Sequence, residues 1–269
     1  MFPLQTDTLP PNAEALREAL EKSLGQVLRP SMGEMVTVED ANYPALNAIR
    51  VSLDGATAID QPPPRLALPN DTIEPALRVE NFEMSGHPVR VQGAAIELSC
   101  RAREVEIGQG RDASGKIVLL LRKAAEGNLE AAVAVADLEA LVLAGAQAAA
   151  ARQGASVESV RIELSARSER ALDVVVHVRA KKLFLTAAVR INGSAAIDEQ
   201  FNAKLSNLEC TGEGTLGTLA CGFIAPQLQR FSDREFSLLA LPLGEVKLRD
   251  VRITAGRELR VSARFGHAA

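Results

Sequence analysis

Tryptophan is absent from the 269-residue chain, and one tyrosine (Tyr43) with eight phenylalanines brings the aromatic share to only 3%. Proteins that bind single-stranded nucleic acid stack bases on aromatic side chains, so the composition speaks against that class. A dominant charge is missing too. Thirty Lys and Arg against 34 Asp and Glu leave a net charge of −4, without the basic footprint of a nucleic-acid protein. No stretch approaches the ~18 consecutive apolar residues of a spanning helix. The opening MFPLQTDTLPPNAEALREAL has neither a basic region nor the apolar run of an export signal. The chain as given therefore reads as cytoplasmic, with room for peripheral membrane contact. Three cysteines, Cys100, Cys210 and Cys221, are too few for a disulfide framework and follow no metal-ligand spacing. They read as buried free thiols of a reducing compartment.

Catalytic signatures are lacking as well. There is no GxSxG, HExxH, P-loop or Cys–His pattern, and His87, His177 and His267 have no second ligand at metal spacing. One pattern matches a cofactor fingerprint: Gly212, Gly214 and Gly217 have GxGxxG spacing, with Asp233 about 20 residues on. Its context differs from a dinucleotide site. The preceding strand is half polar (Gln200, Asn202, Lys204), and Asp233 precedes the next strand instead of ending it. A flexible turn before a helix is the better account, so neither a cofactor nor an enzyme is expected.

Hydrophobic patterning fills the rest. Asn12 caps an expected helix to about Leu28, with Leu16, Leu20, Leu24 and Val27 as its apolar stripe. With the Pro-rich start it makes an N-terminal arm, 1–33, ahead of a single domain, 34–269. Alternation of period two then dominates, as in Val160, Ile162 and Leu164, then Leu172, Val174, Val176 and Val178, then Val189 and Ile191. One apolar and one polar face marks antiparallel strands wetted on one side. The four prolines of Gln61–Pro69 exclude a central strand there. In 246–253 the alternation slips between Leu248 and Val251, which predicts a bulge. Two further helices, 137–152 and 215–231, are nearly without charge, and Pro226 should kink the second. Helices apolar nearly all round are buried on most sides or meet something apolar that is not protein.

VADLEALVLAGAQ (135–147), SVESVRIEL (156–164), LTAAVRINGSAAI (185–197) and LLALPLGEVKLRDVRITAGRELRVSARFG (238–266) follow one another with characteristic apolar spacing and turns. Over 135–266 the chain resembles the bacterial LmeA-like phospholipid-binding domains of the tubular lipid-binding (TULIP) superfamily. The resemblance implies an α+β fold, with a long, strongly curved antiparallel sheet wrapped around two or three apolar helices and acyl chains in the groove between them. The residues are compatible with this, since a sheet lined by Ala and Val leaves room beside a helix. The expected function is non-enzymatic binding or transfer of phospholipid or another acyl-chain lipid. Leu138, Leu141, Val142, Leu216, Leu219 and Phe223 are the expected groove liners. Lys247, Arg249 and Arg252, part of a basic set with Arg260 and Arg264, are the expected contact for an anionic headgroup. The competing expectation is a structural or protein-interaction module with a fully packed interior.

Overall fold

In the computed structural model, residues 2–31, 33–59, 73–151, 154–182, 185–198, 202–229, 232, 235–237 and 248–266 are described. The chain forms two compact units. The first comprises Met1–Ala131, Leu239–Asp250 and Ser262–Ala269; the second comprises Ala132–Leu238 and Val251–Val261.

The first unit opens with β1 (Phe2–Pro3) and α1 (Ala13–Leu24). The Asn12 side chain accepts a 2.9 Å hydrogen bond from the Ala15 amide, as a capping residue should. Leu16, Leu20 and Leu24 are buried, and the helix stops at Gly25, so Val27 falls outside it and is exposed. Then follow β2 (Leu28–Arg29), β3 (Val36–Asn42), β4 (Ala45–Ser52), β5 (Thr57–Ala58), β6 (Glu74–Val91), β7 (Ala94–Arg111), β8 (Ile117–Lys123) and β9 (Glu126–Ala134). The expected Pro-rich loop 61–69 lies outside the described residues. β6 and β7 are 18 residues each and pair antiparallel along almost their full length. β4 pairs with β6 in parallel, from Ala45 opposite Arg78 to Ser52 opposite Ser85, which alternation alone does not reveal.

The second unit holds α2 (Val135–Ala151), β10 (Ser156–Ser168), β11 (Ala171–Lys182), β12 (Leu185–Ile197), β13 (Asn202–Glu213), α3 (Gly214–Gln229) and β14 (Glu235–Ser237). β15 (Leu248–Ala255) and β16 (Glu258–Phe265) end the chain, and each has residues in both units. Leu248 and Val251 are both buried although three residues apart, the phase slip expected there. Among the described residues the strands form two sheets. One is eleven-stranded, with the main order β15-β16-β9-β7-β6-β4-β3; the other is five-stranded, in the order β10-β11-β12-β13-β14.

This overturns the expected architecture. The chain is mostly strand, its two sheets are neither closed nor strongly curled, and its three helices are short. Among the described residues no sheet wraps around apolar helices. The physical reason lies in the helices themselves. α2 has no buried residue at all, so its low charge marks an alanine-rich surface helix lying on a sheet, not a central one.

The polar side of the five-stranded sheet carries one buried hydroxyl, Ser194, which donates 2.8 Å to Asp173 Oδ1; Arg167 holds the same carboxylate. The Ser194 hydrogen bond first, then Arg167, keeps the Asp173 carboxyl below its ordinary range. A carboxyl depressed by folding contributes stability that is present above its unfolded value and lost as pH falls through the folded one. Asp173→Asn should therefore blunt the acid limb of a Tm-against-pH curve while leaving its neutral shape intact.

Candidate functional site

The register of the five-stranded sheet places its apolar side chains in rows. Ile162, Val176, Ile191 and Cys210 lie opposite one another across β10 to β13, and so do Val160, Val178, Val189 and Gly212. Both helices cover this face, one at each side.

α2 runs antiparallel to β10 and is pinned to its outer edge. Glu139 accepts a 2.8 Å hydrogen bond from the Ile162 amide, and Gln147 donates 3.0 Å to the Val157 carbonyl. These two side chains satisfy backbone groups that an edge strand would leave open. Val135, Leu138, Leu143, Ala146 and Ala150 pack against the buried cluster of Val157, Val160 and Ile162.

α3 turns back over β13 and β12, and two devices hold it close. Cys210 on β13 and Cys221 on α3 form a disulfide. Gly212 and Gly217 meet backbone to backbone: a Cβ on Gly212 would lie 1.9 Å from the Gly217 carbonyl carbon, and one on Gly217 would lie 2.6 Å from the Ala188 carbonyl oxygen. The GxGxxG spacing is therefore a helix-on-strand packing device. Its third member, Gly214, starts the helix at φ +66°. Asp233 lies outside the described residues.

Since β10 and β13 run in opposite directions, α2 and α3 are antiparallel to one another. Ile162 faces the helices while its amide points to the open edge of β10. That fixes the hand of the arrangement and turns the flank of α2 bearing Leu138, Leu141 and Val142 toward β11. On α3 Gly217 and Cys221 are turned to the sheet, and Leu216 and Leu219 lie off that side of the helix. At ~4.8 Å per strand the helix axes stand roughly 10–14 Å apart, against about 8–10 Å for helices in contact. Val174, Val176 and Val178 on β11 are half-buried. Val142 on α2 is 40% exposed, and Leu216 and Leu219 on α3 are 38% and 59% exposed.

The expected groove liners belong to the two helices that cover the apolar face of one open sheet. Leu138 and Leu141 are half-buried. Phe223 belongs to α3, but its side chain lies outside the described set, as does Lys247. Two of the expected headgroup contacts, Arg249 and Arg252, belong to β15. Arg249 belongs to the first unit and donates 2.9 Å to the Gly266 carbonyl; Arg252 belongs to the second, with Glu169 3.7 Å away. Arg249 and Arg264 line a cavity of about 810 Å³ in the first unit, beside the ion pairs Arg101–Glu83 and Arg103–Glu126. Its walls are charged, so it does not suit an acyl chain. His87 approaches Asp54 at 3.4 Å in the first unit and His177 approaches Glu163 at 3.6 Å in the second, while His267 lies outside the described residues. Among the described residues no cluster of His, Cys, Asp and Glu could hold a metal.

The reading of three free thiols is corrected by the Cys210–Cys221 bond. Only Cys100 is free, and burial pushes its thiol up to about 11. The missed signal was topological: 11 residues separate the two cysteines, and a strand followed at once by a helix folded back on it brings them together. Closing a loop of that length stabilises by roughly 2–3 kcal/mol. The double variant Cys210→Ser, Cys221→Ser should lower stability by about that amount in a denaturant melt, and dithiothreitol should do the same to the parent protein but not to the variant.

No protein-family model, no curated protein and no solved structure matches the chain.

Proposed function

We propose that the second unit is a non-enzymatic lipid-binding module, which holds an acyl chain against the apolar side chains of α2 and α3, in a trough between the two helices. One observation carries this reading: Val142 on α2 and Leu216 and Leu219 on α3, the two helices over the valine-rich face of one sheet, are left substantially exposed. Scattered exposed apolar residues are ordinary, but an aligned set lining one concavity marks a binding surface. The lining is aliphatic, so it offers dispersion contact without hydrogen-bond specificity. Each buried methylene is worth ~0.8 kcal/mol, so a chain of about sixteen carbons gains on the order of 10 kcal/mol if fully covered, before ordering costs. An open trough covers only part of the chain, which suits a carrier that must also release its cargo.

No helix among the described residues is long and apolar enough to cross a membrane. The disulfide favours an oxidising compartment over the cytoplasm. Phospholipid is the natural cargo class, with selection by chain and not by headgroup.

Protein purified without detergent, extracted with organic solvent and analysed by mass spectrometry should release phospholipid or fatty acid in stoichiometric amount. Well-folded protein that yields a lipid-free extract contradicts the reading. The competing assignment, a protein-interaction surface, would show there as a stable complex without extractable lipid.

A further inference from the structure

We propose that the polar face of the five-stranded sheet carries a binding site for a phosphate group, built from Arg161, His177 and Arg190. The register sets these residues directly opposite one another: Arg161 on β10 faces His177 on β11, which faces Arg190 on β12. Side chains alternate along a strand, so the row lies on the face turned away from α2 and α3 and is independent of the acyl-chain reading.

Opposite charges facing one another across strands stabilise a sheet, and this row offers none. The carboxylates of this face, Glu163 on β10 and Glu209 and Glu213 on β13, stand diagonal to the row and not opposite it. Among the described residues no carboxylate lies within ion-pair distance of Arg161 or Arg190. Arg190 donates through Nε to Asn192 Oδ1 at 3.1 Å, a neutral partner. Glu163 approaches only the His177 Nε2, at 3.6 Å. Two places further along the same face the contrast is plain: Arg167 is engaged by Asp173, which also accepts from Ser194. Arg179, two residues beyond His177, is also without an ion pair, and it stands between Ser159 and Ala188, which are too small to screen it. Two arginines left without an ion pair among the described residues, on a face that does hold carboxylates, mark a position kept for something outside the fold.

The ligand class follows from the donors. Arg161 and Arg190 stand about two strand spacings apart, roughly 10 Å, with the half-exposed His177 between them, so their long side chains can close over one anion from both sides. A phosphate offers several acceptor oxygens to guanidinium groups that approach from different directions, where a carboxylate offers two in one plane. With no aromatic side chain in the row a nucleobase gains nothing by stacking there, so recognition is of the phosphate itself, on a phosphate ester or on a lipid headgroup.

Inorganic phosphate titrated into the isotope-labelled full chain should shift the His177 ring and the Arg161 and Arg190 Nε resonances saturably. Arg161→Gln or Arg190→Gln should weaken binding about ten-fold, as expected for loss of a charge-assisted hydrogen bond. Arg167→Gln, on the same face but already engaged by Asp173, should leave it unchanged. Sedimentation with phosphatidylglycerol and with phosphatidylcholine vesicles separates the sources. Phosphate binding accompanied by Arg161-dependent capture on phosphatidylglycerol assigns the row to a lipid headgroup, and phosphate binding alone assigns it to a soluble phosphate ester. The absence of any saturable shift, or equal losses in all three variants, overturns the proposal.

Discussion

Leu219→Asp is expected to strip the protein of bound lipid while leaving it folded. Leu219 is the most exposed of the trough-wall side chains, at 59%. A carboxylate there stays hydrated in the empty protein, so folding loses little, within the ±0.5 kcal/mol usual for surface changes. An acyl chain entering the trough would desolvate that charge without a partner, which costs several kcal/mol and outweighs the gain from many methylenes. Extracted lipid should fall by at least ten-fold, with unchanged far-UV circular dichroism and thermal midpoint. Val142→Asp, on the opposite wall, should do the same. A variant that keeps its full lipid load removes Leu219 from the site. If Leu219→Asp instead dissociated a protein complex, the apolar flanks would be an interaction surface.

Gly212→Ala should cost more stability than any other single methyl group considered. The added Cβ would meet the Gly217 carbonyl carbon and oxygen at 1.9 and 2.0 Å and the Thr218 amide nitrogen at 2.4 Å, all of them backbone atoms that cannot rotate away. The helix must lift from the strand, against the Cys210–Cys221 bond a turn further along. Overpacking in a core costs typically 1–3 kcal/mol, and a collision of backbone with backbone belongs at or above the top of that range. A loss of about 3 kcal/mol or more in a urea melt is expected. Gly222→Ala on the same helix provides the control: nothing lies within 4 Å of the added methyl group, so it should be neutral or slightly stabilising. Equal losses at both positions would mean that helix propensity, not the close approach, sets the cost.

Much of the local structure was legible in the residues. The Asn12 cap, the positions of all three helices to within a few residues and the inward sets of β10 to β12 follow from capping chemistry and alternation. The arrangement of those elements was not. The parallel pairing of β4 with β6 depends on a long-range choice of partner that alternation does not encode. The expected curled sheet was what the family resemblance implies, and the low charge of the helices was merely compatible with it. In α2, Ala144, Ala148 and Ala149 are exposed, and an alanine-rich helix can present such a face to water without penalty. The disulfide was missed for a related reason, since a count of cysteines carries no information on how a strand and the helix after it fold together. The site fared differently. Leu138, Leu141 and Val142 were legible as one apolar face of α2 and Leu216 and Leu219 as apolar positions of α3, but the pattern does not encode how far each is exposed. The glycines were legible as a pattern but not as a purpose, because the same spacing serves a phosphate loop and a helix resting on a strand.

The central claim is that the apolar side chains of α2 and α3 hold an acyl chain in a trough between the two helices. Its most direct test is photo-crosslinking of the lipid-stripped, refilled protein with a diazirine-bearing fatty acid, followed by peptide mapping. Adducts concentrated on 138–142, 174–178 and 216–219, and competed away by unlabelled fatty acid, are the expected result. Adducts spread over both units, or confined to peptides outside those segments, would contradict it.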